Sequence, residues 1–359
     1  MSLGKNKKIA LIAGVAVLVA AGVVAGSIIG KTQRSIDPSG AYTSADTGSA
    51  QAETASGEPE DIITLKTFTR KYCTSTPWVV GEKKGFFEKN GIRIEYIGEV
   101  PDPQQLPAVL NGSADIGGDL PHALALHVKE GAEIKAVTLN MVDPAPDVDP
   151  KFRHMRFVVA ADSPIQTLED IKTYKEGEKI LSNSLPPSCN DFVLDIIFDK
   201  YGLDRSRIEY VYYESDLAAL QALDQGNLDI ATIHPPFYYL AEESGYRLIA
   251  DSADSGLGAA AGTTLYYFTN RFIEENPEAV QRFVTAIKEA QEWANANEDE
   301  AIRLTGDYIG SEIRAVHYYY TGSGFPQELL EPWLNYLVEK GSLQEGEITL
   351  DDISTTQFQ

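Results

Sequence analysis

The chain has 359 residues, of which 43% are hydrophobic, and its 53 acidic and 30 basic residues give a formal net charge of −23. This excess of acid excludes binding to nucleic acid through a general basic surface. At about 150 residues per domain, the length predicts two globular lobes with additional segments, enough to bury a sizeable core.

The first thirty residues have the composition of a membrane-targeting segment. Lysines up to Lys8 precede an uncharged, apolar run over residues 9–30. About 20 apolar residues span a bilayer, whereas the apolar part of a cleaved signal peptide is usually about 7–15 residues long. We therefore expect residues 1–30 to be an uncleaved anchor with its basic end in the cytoplasm, a cleaved leader being the alternative. Residues 31–60, rich in Ser, Thr, Ala, Gly and acids, are expected to form a flexible linker outside the membrane.

Residues 61–152 have the pattern of the first part of an α/β lobe. Apolar runs and alternation of apolar with polar residues predict short strands, at residues 62–68, 92–97, 114–116 and 134–139. Pro77, directly after Ser75 and Thr76, predicts a helix that begins there and ends near Gly85.

The loops that follow these strands carry candidate binding residues. Gly118 completes a glycine pair that is expected to turn the chain sharply, and Asp119 ahead of Pro121 is placed as a helix N-cap. Arg70, in the loop after the first strand, is either an anion-binding arginine or an ordinary surface arginine. A strand end that leads through a polar loop into a helix N terminus is suited to hold a small ligand.

Residues 153–252 repeat this pattern and predict a second lobe. The expected strands and helices lie at residues 156–160, 179–181, 191–202, 208–213, 217–225 and 228–233. Ser188 or Asn190 is expected to cap the helix that ends at Gly202. His234 stands directly after the last of these strands.

Two segments are expected to connect the lobes. The loop at residues 141–150, rich in proline and aspartate, is interpreted as the first crossover. Residues 253–359 are predicted to return to lobe one, through a strand at 262–269 and a long amphipathic helix at 276–297.

The cysteines and histidines form no local motif of a metal site. Cys73 and Cys189 each fall in the first strand-to-helix loop of a lobe, and we expect free thiols, with a disulfide or a soft metal contact as alternatives. His122 and His234 are placed where either could touch a ligand. Capped or solvated positions are expected for the other histidines, His127, His154 and His317. We predict no cofactor, no metal site and no catalytic residue.

Four segments, taken in order, carry a family resemblance. They are GFFEKNGIRIEY (residues 85–96), QQLPAVLNGSADIGG (104–118), SPIQTLEDIK (163–172) and ALQALDQGNLDIA (219–231). Together they resemble the solute-binding proteins of ABC importers, in the branch that serves nitrate, taurine, alkanesulfonates and thiamine precursors. The resemblance covers roughly residues 62–291.

The resemblance implies a two-lobed α/β fold of the type 2 periplasmic-binding-protein kind, with a mixed sheet flanked by helices in each lobe and a central cleft. It implies an extracytoplasmic, non-enzymatic monomer that captures a small solute and delivers it to a membrane permease with its ATPase subunits. The alternative is a biosynthetic enzyme on the same fold, similar to a thiamine-pyrimidine synthase or a dehydratase. The cysteine-rich iron-binding motif of that enzyme branch is absent here.

The resemblance also implies where the solute lies, between the strand ends and helix N termini of the two lobes. Their partial positive charge suits an anionic group, and aromatic side chains would cover its body. In the family, an aspartate or similar residue often stands where this chain has His234, so we expect an altered ligand set. The expected ligand-binding residues are Cys73, Thr74, Ser75, Thr76, Trp78, Gly118, Asp119, His122, Ser188, Cys189, Asn190, His234, Phe237 and Tyr266.

Overall fold

The structure is a computed structural model, and it describes residues 61–72 and 74–359. The predicted anchor over residues 1–30, the predicted linker over residues 31–60 and Cys73 lie outside the described residues. Among the helices that it describes, none has both the length and the apolar character needed to cross a bilayer.

Short strands and helices alternate along the described chain. The strands are β1 (Ile63–Thr67), β2 (Ile92–Tyr96), β3 (Gly117–Asp119), β4 (Ile134–Leu139), β5 (Met141–Val142), β6 (Arg156–Val159), β7 (Ile180–Asn183), β8 (Ile208–Val211), β9 (Ala231–Ile233), β10 (Arg247–Asp251), β11 (Leu265–Thr269) and β12 (Tyr318–Tyr319). The α-helices are α1 (Thr76–Lys83), α2 (Phe86–Lys89), α3 (Asp102–Leu110), α4 (Pro121–Lys129), α5 (Cys189–Lys200), α6 (Asp216–Asp224), α7 (Tyr238–Glu243), α8 (Asn270–Glu275), α9 (Pro277–Ala296), α10 (Glu298–Ile309), α11 (Gln327–Glu339) and α12 (Leu350–Ile353). Short 3₁₀ helices lie at Pro150–Phe152, Leu168–Lys172, Arg205–Arg207, Pro235–Phe237, Ser252–Ser255 and Gly258–Gly262.

The strands form two groups, which we call lobe one and lobe two. In lobe one, β1 pairs with β2 in parallel, β11 lies antiparallel between β3 and β4, and β12 pairs with β5. In lobe two, β6 lies antiparallel between β10 and β9, and β7 pairs with β8 in parallel. The strand predicted at residues 262–269 is found as β11, which pairs between two strands that are far from it in sequence.

An aspartate has the same structural role in both lobes. The carboxylate of Asp115 accepts the backbone N–H of Lys66 at 2.8 Å, and the carboxylate of Asp229 accepts that of Leu181 at 2.9 Å. Both aspartates stand in the recurring Asp-Ile sequence just before a short strand. Each carboxylate satisfies a backbone donor at the point where two parallel segments meet, which explains why the two lobes share this sequence pattern.

Asp143 joins the two segments that run between the lobes. It follows β5, and its buried carboxylate accepts the backbone N–H of His154 at 2.7 Å and the hydroxyl of Ser252 at 2.6 Å. Arg153 lies 3.3 Å away from the same carboxylate. Burial raises the pKa of Asp143, and the contacts with Ser252, His154 and Arg153 oppose that shift. One side chain therefore holds both connections together.

The C-terminal helix α11 packs against α5 of lobe two. The ring of Trp333 stacks on that of Phe192 with centroids 3.9 Å apart, and its indole N–H donates to the carbonyl of Ala260 at 2.9 Å. The hydroxyl of Tyr336 donates to Asp195 at 2.8 Å. These contacts fix the helix whose first residue is Cys189.

The structure corrects two local predictions. Gly118 lies inside β3 and not in a turn, and the N-cap of α4 is Leu120 and not Asp119. The glycine pair is explained by the packing of β3 and not by a turn. An added Cβ at Gly117 would be 2.1 Å from Cζ of Tyr267, so β3 needs a glycine beneath the tyrosine ring. Ser75 is the N-cap of α1, but its hydroxyl donates to the carbonyl of Tyr72 and caps nothing.

Candidate functional site

The first turn of α5 is held by the predicted capping residue. Ser188 is the N-cap, and its hydroxyl accepts the backbone N–H of Asn190 at 3.2 Å. The carboxylate of Asp191 accepts the backbone N–H of Ser188 at 2.8 Å and the hydroxyl of Ser184 at 2.7 Å. This capping box places Cys189, a half-buried free thiol, at the first position of the helix.

His234 lies at the end of β9 and is oriented by Asp216, the first residue of α6. The Asp216 carboxylate accepts the backbone N–H of His234 at 2.8 Å and lies 3.0 Å from its Nδ1. The other ring nitrogen, Nε2, lies 3.8 Å from Sγ of Cys189. The predicted placement of His234 after the last strand is confirmed. Asp216 was missed, because the sequence Ser215-Asp216 marks only the start of a helix and not its closeness to the end of β9.

Two further histidines lie beside His234. The ring of His154 is 5.5 Å from that of His234, and the ring of His317 is 5.9 Å from it and 4.8 Å from His154. The sequence left capped or solvated positions open for His154 and His317, and the solvated alternative is wrong, because these residues are 2% and 1% exposed. The structural reason is that Asp143 binds the backbone of His154, while the pairing of β12 with β5 brings the residue before β12, His317, inward.

Burial keeps these two imidazoles neutral. It lowers the pKa of His154 and of His317 well below the usual value, and the neighbouring histidines lower both further. Within the described part of the chain, neither ring nitrogen of His154 has a hydrogen-bond partner. A buried polar group without a partner is rare in folded proteins and calls for an explanation.

The side chains of His154, Cys189 and His234 form a cluster. Their ligand atoms, one from each residue, all lie within 4.8 Å of one another. A thiol and two imidazoles are ligands of zinc-class metals. Cys189, His234 and Asp216 also have the order of a nucleophile, a base and an orienting acid. No short sequence motif marks this cluster, because its members come from three segments that are far apart in the sequence.

Lobe one presents a different feature, a buried cation. Arg70 is 5% exposed, so it is not the surface arginine that the sequence left open. One guanidinium nitrogen, Nη1, donates to the hydroxyl of Thr67 at 3.1 Å and to the carbonyl of Phe68 at 3.3 Å. The other, Nη2, is buried without a partner among the described residues, and no ion pair of Arg70 is found there.

Two acids lie in the surroundings of this arginine. Burial and the nearby Asp119 raise the pKa of Asp102, whereas Arg70 lowers it. The Asp119 carboxylate itself lies 3.3 Å from Nε2 of His127 and is partly exposed. This end of lobe one therefore combines a buried positive charge with a more accessible negative one.

Several predicted site residues of lobe one lie in its core. Trp78 is 3% exposed and meets Tyr266 edge to face, with centroids 5.4 Å apart. The hydroxyl of Thr76 accepts that of Thr305 at 2.9 Å, and Thr74 is half-buried. Gly118 pairs with Tyr266 across the sheet. Contact of these residues with a solute remains a prediction.

The remaining predicted residues lie nearer to lobe two. His122 is fully buried, with its ring 4.8 Å from that of Trp333 and 6.1 Å from that of Phe192. Burial lowers the pKa of His122 to about 3, against a smaller opposite effect of the Ser188 backbone. The side-chain amide of Asn190 donates to the carbonyl of Asn183 at 3.1 Å, and the half-buried Phe237 ends a 3₁₀ helix.

A surface groove of about 630 Å³ lies elsewhere, between α11 and the segment that leads into α12. None of the predicted site residues lines it. We therefore define the candidate site by the polar groups at the strand ends and not by the volume of a groove.

The fold and these strand-end residues define a two-lobed protein of the periplasmic-binding-protein class. The chain matches the family model described as "NMT1/THI5 like" over residues 73–301, more than half of its length, and it belongs to that family. The similarity to solute-binding proteins of the sulfonate and nitrate branch, which the four sequence segments indicated, is thereby confirmed.

Individual relatives agree with this assignment. The chain is 27% identical over 231 residues to an Escherichia coli protein named as an aliphatic sulfonates-binding protein, covering 63% of this chain and 66% of that one. The crystal structure of the periplasmic aliphatic sulphonate binding protein SsuA from Escherichia coli superposes with a TM-score of 0.61 at 19% identity, covering 80% of this chain and 91% of that one. The periplasmic nitrate-binding protein NrtA from Synechocystis gives a TM-score of 0.62 at 13% identity, with 84% and 88% covered. These structures confirm the predicted fold class.

Proposed function

We propose that this protein is the extracytoplasmic solute-binding component of an ABC importer and that it captures a small anionic or zwitterionic solute. The observation that carries the proposal is the buried guanidinium of Arg70, whose Nη2 has no partner among residues 61–72 and 74–359. The relatives named for sulfonate and nitrate binding support the same class of solute.

The physical argument concerns the cost of burying a charge. An ionised group taken out of water costs several kcal/mol unless a counter-charge and hydrogen bonds compensate it. Among the described residues, the guanidinium of Arg70 bonds only to neutral oxygens and lies near the rings of Phe68 and Trp78, with centroids 5.2 and 5.5 Å away, and no carboxylate pairs with it. A sulfonate, nitrate or carboxylate would supply the missing acceptors and could bind the guanidinium fork through two oxygens. The partly exposed Asp119 would suit a solute that also carries an ammonium group, as taurine does.

The rest of the proposal concerns the roles of the two lobes and of the N-terminal segment. We place lobe one at residues 61–152 and 253–359 and lobe two at residues 153–252, with closure around the solute. Lobe two would contribute its own predicted set, Ser188, Asn190 and His234, at the helix N terminus and strand end that face lobe one. Residues 1–30 would hold the protein at the membrane, close to the permease that receives the solute.

Native mass spectrometry of the full-length protein tests this function. The wild-type chain should retain a small solute of anionic character, and the matched control Arg271→Gln should retain it equally. Arg271 is exposed and pairs with Glu275 on α8 at 2.9 Å. Arg70→Gln should release the solute while keeping the fold. Retention of the same solute by Arg70→Gln would contradict the proposed anchor.

A thiol-dependent enzyme on the same fold is the second candidate. The observation that favours it is the contact of Cys189 Sγ with His234 Nε2 at 3.8 Å, backed by Asp216. In this arrangement the imidazole would take the thiol proton, and the thiolate would attack the substrate. The recovered solute distinguishes the two candidates. A binding protein returns it unchanged after prolonged incubation, whereas an enzyme converts it and loses that activity in Cys189→Ser.

A further inference from the structure

We propose that His154, Cys189 and His234 bind one transition-metal ion of the zinc class. This inference goes beyond the proposed solute-binding function and does not depend on it. It uses a thiolate and two imidazoles, the donor set that zinc, cobalt and copper ions favour over calcium and magnesium.

The distances fit a metal ion. Tetrahedral zinc with usual bond lengths to sulfur and nitrogen holds those two atoms about 3.6 Å apart. Sγ of Cys189 and Nε2 of His234 are separated by 3.8 Å, which is close to that value. The corresponding atom of His154 lies within 4.8 Å of both, so a small side-chain rotation completes the set.

The groups around the cluster orient the ligands as metal sites require. A ligating histidine usually donates its other ring N–H to a carboxylate, which fixes both its tautomer and its direction. Asp216 lies 3.0 Å from Nδ1 of His234 and also accepts its backbone N–H. The capping box around Ser188 fixes Cys189 at the start of α5, where the helix N terminus favours negative charge.

His154 separates this proposal from the enzyme alternative. A nucleophilic pair of Cys189 and His234 gives the buried imidazole of His154 no role, and neither of its nitrogens has a hydrogen-bond partner in the part of the chain that the structure describes. A metal ion gives one of those nitrogens a ligand bond and so accounts for the burial of a polar ring at 2% exposure.

The cluster also has room for one more ligand. Three protein ligands leave the fourth tetrahedral position for water or for an anionic group. The ligands come from the segment after Asp143, from the start of α5 and from the end of β9. A bound ion would therefore join three separate segments of lobe two, at the approach to β6, at the start of α5 and at the end of β9.

Cobalt(II) and zinc(II) alone are the probes for this site. The full-length protein, stripped with a chelator and held in mild detergent, should bind one equivalent of cobalt(II) and show thiolate-to-cobalt charge-transfer absorption. Cys189→Ser should lose that absorption, and His154→Gln should bind at least tenfold more weakly. Asp216→Asn should weaken binding by about 10- to 100-fold through the orientation of His234. His127→Gln, a histidine outside the cluster, should bind as the wild type does.

A second measurement keeps the test valid if a variant fails to fold. Zinc(II) should slow the alkylation of Cys189 by iodoacetamide at least tenfold in the wild-type chain, as measured by peptide mass mapping. Cys73 in the same digest is the internal control and should react at an unchanged rate. A wild-type cobalt spectrum without charge-transfer absorption, or equal alkylation of Cys189 with and without zinc, would overturn the metal site and leave a metal-free thiol.

Discussion

Sγ of Cys189 lies 3.8 Å from Nε2 of His234, although the two residues are 45 positions apart in the chain. The contact depends on two local structures, the capping box that begins α5 and the carboxylate of Asp216 at the start of α6. Both solutes and metal ions are recognised by groups held in this way, since fixed side chains lose little entropy on binding.

The first prediction concerns the tautomer of His234. Because the Asp216 carboxylate lies 3.0 Å from Nδ1, we expect the proton on Nδ1 and the lone pair on Nε2 in metal-free protein at neutral pH. Long-range ¹H–¹⁵N correlation spectra should show the Nδ1–H form in the wild type and a mixture in Asp216→Leu. An Nε2–H form in the wild type would contradict this orientation.

The second prediction concerns the cap of α5. Ser188→Ala removes the acceptor of the Asn190 N–H and should lower the free energy of unfolding by about 1 kcal/mol, within a range of about 0.5–2. Urea denaturation measures the change. Ser113→Ala, at an exposed position after α3, is the control and should stay within about 0.5 kcal/mol of the wild type. Equal stability of the two variants would mean that the capping box contributes nothing.

The third prediction uses two adjacent glycines of β3. An added Cβ at Gly117 would lie 2.1 Å from Cζ of Tyr267, whereas at Gly118 the nearest atom is 3.6 Å away. Gly117→Ala must displace the tyrosine ring and should cost about 1–3 kcal/mol, as overpacking usually does. Gly118→Ala should cost clearly less. Thermal melts of both variants measure the difference, and a larger loss in Gly118→Ala would show that β3 is packed differently.

The fourth prediction is a pH dependence of stability caused by His122. Its pKa is about 3 in the folded protein, whereas an unperturbed histidine has a pKa of 6.5, so the unfolded chain takes up the proton first. The stability contribution is therefore complete above about pH 6.5 and is lost as the pH falls towards 3, by about 1.4 kcal/mol per pH unit. His122→Gln should flatten the stability curve between pH 6 and pH 4 by about that slope. Urea denaturation at each pH measures the free energy of unfolding. If this free energy changed with pH equally in the wild type and in His122→Gln, the burial of this ring would be contradicted.

Sequence patterns predicted the elements well where periodicity and caps act locally. The strand at 134–139, the long helix after Asn276 and the capping role of Ser188 were all confirmed. The glycines of β3 were misplaced, because the tyrosine that requires Gly117 arrives from a strand about 150 positions later.

The site was less predictable for a related reason. His154 and His317 carry no local signal that distinguishes a buried histidine from a solvated one, since their burial depends on the pairing of β12 with β5 and on Asp143. The cluster with Cys189 arises only when three segments that are distant in the sequence meet. A resemblance to known binding proteins indicates the class of site, but it cannot indicate residues that are particular to this chain.

The most direct test of the proposed function is a calorimetric titration of the full-length protein with short alkanesulfonates, taurine and nitrate. We expect at least one of these anions to bind at a single site. Arg70→Gln should weaken that binding by about 10- to 100-fold, since a hydrogen bond to a charged group contributes about 1.5–3 kcal/mol. The affinity of Arg70→Lys should lie between those of the wild type and Arg70→Gln, because lysine keeps the charge and loses the planar guanidinium fork. Arg271→Gln should bind as the wild type does. Anion binding that is unchanged in Arg70→Gln, with the fold intact, would contradict the account.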